Sequence, residues 1–106
     1  MAIGALFEVP GFTQENYEAV SAALGDEQPV GSYFHISGPI DGGWRVIEVW
    51  ESEQAQNSFQ RERLDPAFDQ VGLDRVRPAF FPVHQTLPPP EAMAAMAAGG
   101  GGPASG

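Results

Sequence analysis

The 106-residue chain contains no cysteine and no lysine, and five arginines are its only cations against 14 acidic side chains. The absence of cysteine excludes disulfides, thiolate nucleophiles, iron–sulfur clusters and cysteine-containing zinc sites. A formal net charge of −9 argues against phosphate-rich partners, so we expect neither nucleic acid nor an anionic membrane surface as a partner. Catalysis by this chain would have to use His, Glu, Asp, Tyr or the reactivity of the substrate itself.

Long hydrophobic runs are also missing. No apolar stretch approaches the roughly 18 to 20 residues that a membrane-spanning helix needs, and the N-terminal segment lacks the basic flank of a signal peptide. We therefore expect a soluble, cytoplasmic protein.

Glycine and proline number 13 and 10, and nine of them lie in residues 88–106. This composition predicts a folded domain over residues 1–87 and a disordered Pro/Ala/Gly-rich tail over residues 88–106. A domain of that length has a thin core, which favours pairing with a second copy.

Hydrophobic periodicity and turn residues predict the helices and strands. Thr13 and Ser52 are typical helix N-cap residues, and apolar residues at spacings of three and four follow each of them. The first helix is expected to run for about eleven residues to Gly25. In the second, Asp65 and Pro66 predict a new helical turn capped by the aspartate. Short apolar runs predict strands at 3–9, 33–37, 44–50 and 76–87.

The order strand, helix, strand, strand, helix, strand predicts an α+β fold of the ferredoxin-like βαββαβ type. We expect a four-stranded antiparallel sheet with the helices on one face, and Pro78 and Pro82 place the last strand at an edge. The other face of the sheet needs a cover in so small a chain. A homodimer packed sheet against sheet is the simplest way to provide it.

The predicted hairpin carries the side chains best suited to chemistry. If its strands pair in simple register, their side chains sort onto two faces. One face holds titratable and aromatic side chains: Tyr33, His35, Ser37, Trp44, Val46, Glu48 and Trp50. The other is mainly apolar: Phe34, Ile36, Arg45, Ile47 and Val49.

Two interpretations of the first face stay open. A histidine beside a glutamate, between aromatic rings, suits acid/base chemistry in which the carboxylate holds the imidazole tautomer. Alternatively, this face is the solvent-exposed side of the sheet or the dimer interface, and His35 and Glu48 only form hydrogen bonds across the hairpin or that interface.

Other candidate residues are more isolated along the chain. His84 is a second acid/base candidate, although a lone histidine at a strand end more often binds a backbone carbonyl. The two histidines lack the spacing of metal ligands, so no metal site is expected. Tyr17 lies on the apolar stripe of the first helix, which favours a core or wall position over a general acid. Arg61 and Arg63 are expected on a solvated helix surface, ion-paired with Glu62 and Asp65.

The segment GWRVIEVWESE at 43–53, with residues 34–39, Phe59 and residues 80–84, gives the chain a family resemblance. Over residues 2–87 it resembles the dimeric α/β barrel proteins, in particular the antibiotic biosynthesis monooxygenase-like group. That resemblance implies a homodimer of facing four-stranded sheets, with a pocket between the sheet and the helices of each subunit. The family includes cofactor-free monooxygenases of polyketide phenols, polyketide cyclases, lactone isomerases and haem-degrading enzymes.

Residue by residue, the resemblance carries over only in part. In the monooxygenases, Asn, Trp and Arg side chains position an ionised phenol, and this chain offers Asn57, Trp44, Trp50 and Arg45 without a secure alignment to that set. The second predicted helix has no histidine, which departs from the haem-degrading members.

Two functions are therefore expected as alternatives. The first is a cofactor-independent enzyme acting on a hydrophobic polyketide-type or aromatic small molecule, monooxygenase-like or a cyclase or isomerase, whose reaction begins with proton removal. Its acid/base residues would be His35, Glu48 and His84, and its substrate-binding residues Tyr33, Trp44, Trp50 and Tyr17. The second is a non-catalytic dimeric barrel that binds a small ligand or a protein partner.

Overall fold

A computed structural model describes residues 1–92 and 95 of the chain. Its antiparallel sheet has the strand order β2-β3-β1-β4. The chain is thus an α+β protein with one four-stranded antiparallel sheet. In chain order the elements are β1 (Ile3–Pro10), α1 (Gln14–Leu24), β2 (Ser32–Ile40), β3 (Gly43–Trp50), α2 (Glu53–Phe59), a π-helical turn (Gln60–Leu64), α3 (Asp65–Gln70) and β4 (Ala79–Pro82).

Two of the three predicted N-caps, Thr13 and Ser52, are confirmed. The Thr13 hydroxyl accepts from the backbone N–H of Asn16 at 3.1 Å, and the Asn16 side chain accepts from the Thr13 N–H at 3.0 Å. The Ser52 hydroxyl accepts from the N–H of Ala55 at 3.1 Å. Helix α1 has eleven residues and ends at Gly25, whose φ of +82° lies in the region that favours glycine.

The predicted new helical segment is present, since α3 begins at Asp65 with Pro66 in its first turn, but the predicted cap is wrong because Leu64 holds the N-cap position and no side chain caps the helix. Asp65 has helical dihedrals (φ −58°, ψ −46°), and its N–H donates to the carbonyl of Gln60, five residues earlier. The helical path therefore continues from α2 through the π-helical turn into α3. This wider turn accommodates Pro66, which has no N–H to donate and whose ring crowds the carbonyl four residues before it.

Strand β4 is shorter than predicted but lies at the predicted edge. It spans four residues and pairs only with β1, from Ile3 opposite Pro82 to Leu6 opposite Ala79. Pro78 precedes the strand and Pro82 ends it, which fits the inability of proline to donate to a ladder.

The two faces of the sheet have different surroundings. One packs against the helices, and its core cluster joins Phe7 of β1 to helical side chains: Val20, Leu64, Ala67 and Phe68. The opposite face is open and mainly apolar apart from the Glu8–Arg45 ion pair, with Ile36 49% exposed and Phe81 48% exposed. The helix-facing side of the sheet is therefore where a pocket can form.

The predicted tail lies mostly outside the described residues, which include residues 90–92 in a helical conformation. Within the part of the chain that the structure describes, no helix has both the length and the apolar character to cross a membrane.

Candidate functional site

The hairpin register places His35 directly opposite Glu48 on the helix-facing side of the sheet. Ser37 lies opposite Val46 on the same face, as the alternation predicts. Side chains that face each other across an antiparallel pair lie within contact distance. The register thus makes His35 and Glu48 a contacting pair.

Glu48 is buried, with 6% of its surface exposed, and both of its oxygens are hydrogen-bonded. The indole Nε1 of Trp50 donates to Oε1 at 2.8 Å, and Nδ1 of His35 lies 3.0 Å from Oε2. An ionised carboxylate only accepts hydrogen bonds. The proton of neutral His35 is therefore assigned to Nδ1, which leaves a lone pair on Nε2.

Helix α1 supplies the next member of this chain of hydrogen bonds. The hydroxyl of Tyr17 lies 2.8 Å from Nε2 of His35. With the tautomer above, Tyr17 donates to Nε2. The side chains of Tyr17, His35, Glu48 and Trp50 form one connected series, which we call the Tyr17–Trp50 relay.

The relay lies in the wall of a cavity of about 430 Å³ between the sheet and the helices. A volume of this size suits a small organic molecule. Most of the lining is apolar or aromatic, and it includes Phe7, Val9, Phe12, Val20, Leu24, Val46, Leu64, Phe68 and Val76. Polar and charged side chains also contribute: Ser21, Asp26, Glu27, Gln28, Ser32 and Arg63.

Aromatic rings hold the relay in place. The rings of Tyr17 and Trp44 lie 5.3 Å apart at an interplanar angle of 31°, and those of Trp50 and Phe59 lie 5.4 Å apart at 39°. Aromatic pairs at this separation contribute more stabilisation than the burial of their surface area alone would give. The two tryptophans thus fix the relay from opposite ends of β3.

Arg63 does not lie on a purely solvated surface, which corrects the prediction. Its guanidinium donates to the carbonyls of Leu24 and Glu27 at 3.2 and 3.1 Å and lies 5.4 Å from the centre of the Phe59 ring. Arg63 therefore fastens the loop after α1 beside the cavity. Only Arg61, with its exposed partner Glu62, matches the predicted surface pair.

Asp65 does not lie on the predicted solvated surface either, because it is buried with 7% of its surface exposed. Its Oδ1 accepts from Gln60 Nε2 at 2.9 Å and from Arg77 at 2.8 Å. Gln60 in turn accepts from the fully buried Gln56 at 2.9 Å. This polar network ties the π-helical turn to the segment before β4.

The structure brings together five of the seven predicted site residues and separates the other two from them. Tyr17, His35, Trp44, Glu48 and Trp50 all line the cavity. Tyr33 is absent from its lining, because a bulge between Ser32 and Phe34 leaves Tyr33 out of the register that the alternation assumed. His84 is exposed beyond β4, beside Ala2 and Leu87, and does not join the relay.

The site offers acid/base chemistry in an apolar surrounding. Within the described residues, no three His, Asp or Glu side chains are grouped as a metal site requires. Comparison with protein families, with curated proteins and with solved structures finds no match to this chain.

Proposed function

We propose that the chain is a cofactor-independent, cytoplasmic enzyme that moves a proton on a hydrophobic, aromatic or polyketide-type small molecule. Oxygenation, cyclisation or isomerisation of the resulting carbanion would follow. The observation that carries the proposal is the Tyr17–Trp50 relay in the wall of an apolar cavity of about 430 Å³. A hydrogen-bonded histidine and carboxylate placed beside a small-molecule cavity are the parts that general acid/base catalysis needs.

The strand order supports a finer assignment of the fold, which we include in the proposal. Taken from the β4 edge, the order is β4-β1-β3-β2, with each neighbouring pair antiparallel. A ferredoxin-like βαββαβ chain has this arrangement of strands. We infer that two such subunits pack their open sheet faces together as a dimeric α/β barrel.

The dimer has its own test at the open face. Ile36→Glu is expected to raise the dissociation constant at least about tenfold, because about 1.4 kcal/mol of apolar burial is lost and a charge enters the interface. Sedimentation velocity across a concentration series measures this change. Val30→Glu, at a position 86% exposed and outside the sheet, is the control. A wild-type chain that stays monomeric at high micromolar concentration contradicts the dimer.

The acid/base function is tested with 1,8-dihydroxyanthrone, an apolar probe whose methylene hydrogens are acidified by a carbonyl and two aryl rings. In anaerobic D₂O, NMR follows deuterium exchange at that carbon. This readout reports proton removal alone and does not depend on the reaction that follows it. We expect the protein to accelerate exchange, and His35→Gln and Glu48→Gln to lower the catalysed rate about 100-fold. Glu8→Gln is the matched control, because Glu8 is an exposed strand glutamate on the opposite face.

Binding of the same probe separates the two alternative functions. Quenching of tryptophan fluorescence reports occupancy, since Trp44 and Trp50 both line the cavity. Tight binding without accelerated exchange would overturn the enzymatic proposal and favour a non-catalytic ligand-binding barrel. Equal exchange rates for wild type and His35→Gln would also count against the enzyme.

A further inference from the structure

Both ring nitrogens of His35 already form hydrogen bonds, so it must be asked which side chain exchanges a proton with the substrate directly. Nδ1 is bonded to Glu48 at 3.0 Å and Nε2 to the hydroxyl of Tyr17 at 2.8 Å. Direct proton removal by His35 would require Nε2 to give up Tyr17. We propose that Tyr17 is the catalytic residue that exchanges the proton with the substrate, and that His35 and Glu48 act through it.

The direction of the hydrogen bonds supports this assignment. Trp50 can only donate, and it occupies Oε1 of Glu48, so the remaining oxygen accepts from Nδ1–H of His35. Nε2 then has a lone pair that faces the Tyr17 O–H. The relay is oriented to draw a proton away from Tyr17 and to place the positive charge next to the Glu48 carboxylate.

Tyr17 is also held where a planar ligand would reach it. It lines the cavity, and its ring packs against Trp44 at 5.3 Å. The Tyr17 oxygen uses its hydrogen for His35 and keeps lone pairs for a second partner. Since Tyr17 is the terminal member of the relay on the α1 side, a substrate in the cavity can bind its oxygen without breaking the relay.

The proposed step is a proton transfer that conserves all electrons. The O–H bond of Tyr17 breaks as its proton passes to Nε2 of His35. The Tyr17 oxygen takes a proton from the substrate carbon, and the electron pair of that C–H bond stays on the substrate as an enolate. The products are neutral tyrosine, an imidazolium beside ionised Glu48, and the enolate. This inference rests on the proposed function.

Tyr17→Phe tests the step because it keeps the ring against Trp44 and removes only the oxygen. With 1,8-dihydroxyanthrone in anaerobic D₂O, we expect the exchange rate at saturating probe to fall about 100-fold. The dissociation constant measured by tryptophan quenching is expected to change by less than about tenfold, because a single hydrogen bond contributes only about 0.5 to 1.5 kcal/mol of net free energy. Circular dichroism checks that the variant is folded.

The outcomes separate this inference from the function on which it rests. If Tyr17→Phe keeps the wild-type rate while His35→Gln loses it, His35 meets the substrate itself and only the inference fails. If neither variant loses rate, the proposed function fails as well. A loss of probe binding as large as the loss of rate would make Tyr17 a binding residue and overturn its catalytic role.

Fluorinated tyrosine distinguishes proton transfer from a positioning role. The chain has two tyrosines, so incorporation into a Tyr33→Phe chain labels position 17 alone. Fluorine makes the phenol more acidic, and we expect the rise of the exchange rate with pH to move to lower pH than in the same chain with ordinary tyrosine. The other titratable groups facing the cavity, His35, Glu48, Asp26, Glu27 and Arg63, are identical in the two chains. If the pH dependence of the exchange rate is the same in the two chains, the inference is overturned.

Discussion

Trp50→Ala is expected to lower the free energy of unfolding by about 3 to 5 kcal/mol, the range for removing a fully buried large aromatic side chain. Trp50 is 1% exposed and packs its ring against Phe59 at 5.4 Å. Its indole also supplies one of the two hydrogen bonds to the buried Glu48 carboxylate. The substitution therefore leaves both a cavity and an under-satisfied charge. Urea denaturation followed by circular dichroism measures the loss.

The second tryptophan gives a matched control for the hydrogen bond. Trp44 is 7% exposed, but its buried Nε1 has no hydrogen-bond partner among the described residues. Trp50→Phe removes a bonded N–H, whereas Trp44→Phe removes an unbonded one from a similar environment. We expect Trp50→Phe to be more destabilising by about 1 to 3 kcal/mol, the penalty for an unsatisfied buried partner. Equal losses in the two variants would show that the bond to Glu48 adds nothing.

Local patterns predicted the parts of the fold that local forces determine. Thr13 and Ser52 cap helices because their hydroxyls reach backbone N–H groups three residues away. The alternation of the hairpin placed His35 opposite Glu48 because side chains change face at every residue of a strand. Where one extra residue enters, at Tyr33, the same rule fails, since a bulge has no signature in the alternation itself.

The rest of the site depends on how the helices dock on the sheet. Tyr17 and His35 are 18 residues apart in the sequence and meet only because α1 packs on the side of the sheet that His35 faces. Arg63 reaches carbonyls more than 30 residues earlier in the chain. Asp65 and Pro66 do mark a helix start, but the preceding π-helical turn runs directly into it, so Asp65 is buried and does not act as a cap. Contacts of this kind are set by tertiary packing, which spacing along the sequence does not encode.

Asp65 links the stability of the fold to pH. Burial raises the pKa of its carboxyl, but hydrogen bonds from Gln60 and Arg77 and the charges of Arg77 and Arg75 outweigh burial, so the pKa is lowered overall. A lowered pKa in the folded state adds stability that is complete above the pKa of the unfolded chain, roughly 3.9. That stability is lost as the pH falls through the lower pKa of the folded state. The fold should therefore weaken below about pH 4 partly through this one group.

Asp65→Ala is expected to lower the free energy of unfolding at pH 7 by about 2 to 3 kcal/mol, since hydrogen bonds to a charged acceptor are lost and Gln60 loses a buried partner. The variant should also lose less stability on acidification than wild type, which urea titrations from pH 7 to about pH 2.5 would measure. Asp74→Ala changes the net charge equally at an exposed position of the same segment, so it controls for overall repulsion. If the free energy of unfolding falls equally with pH in both variants, the network around Asp65 does not hold its carboxylate in the ionised form. The contact between Asp65 and Arg77 would then contribute packing alone.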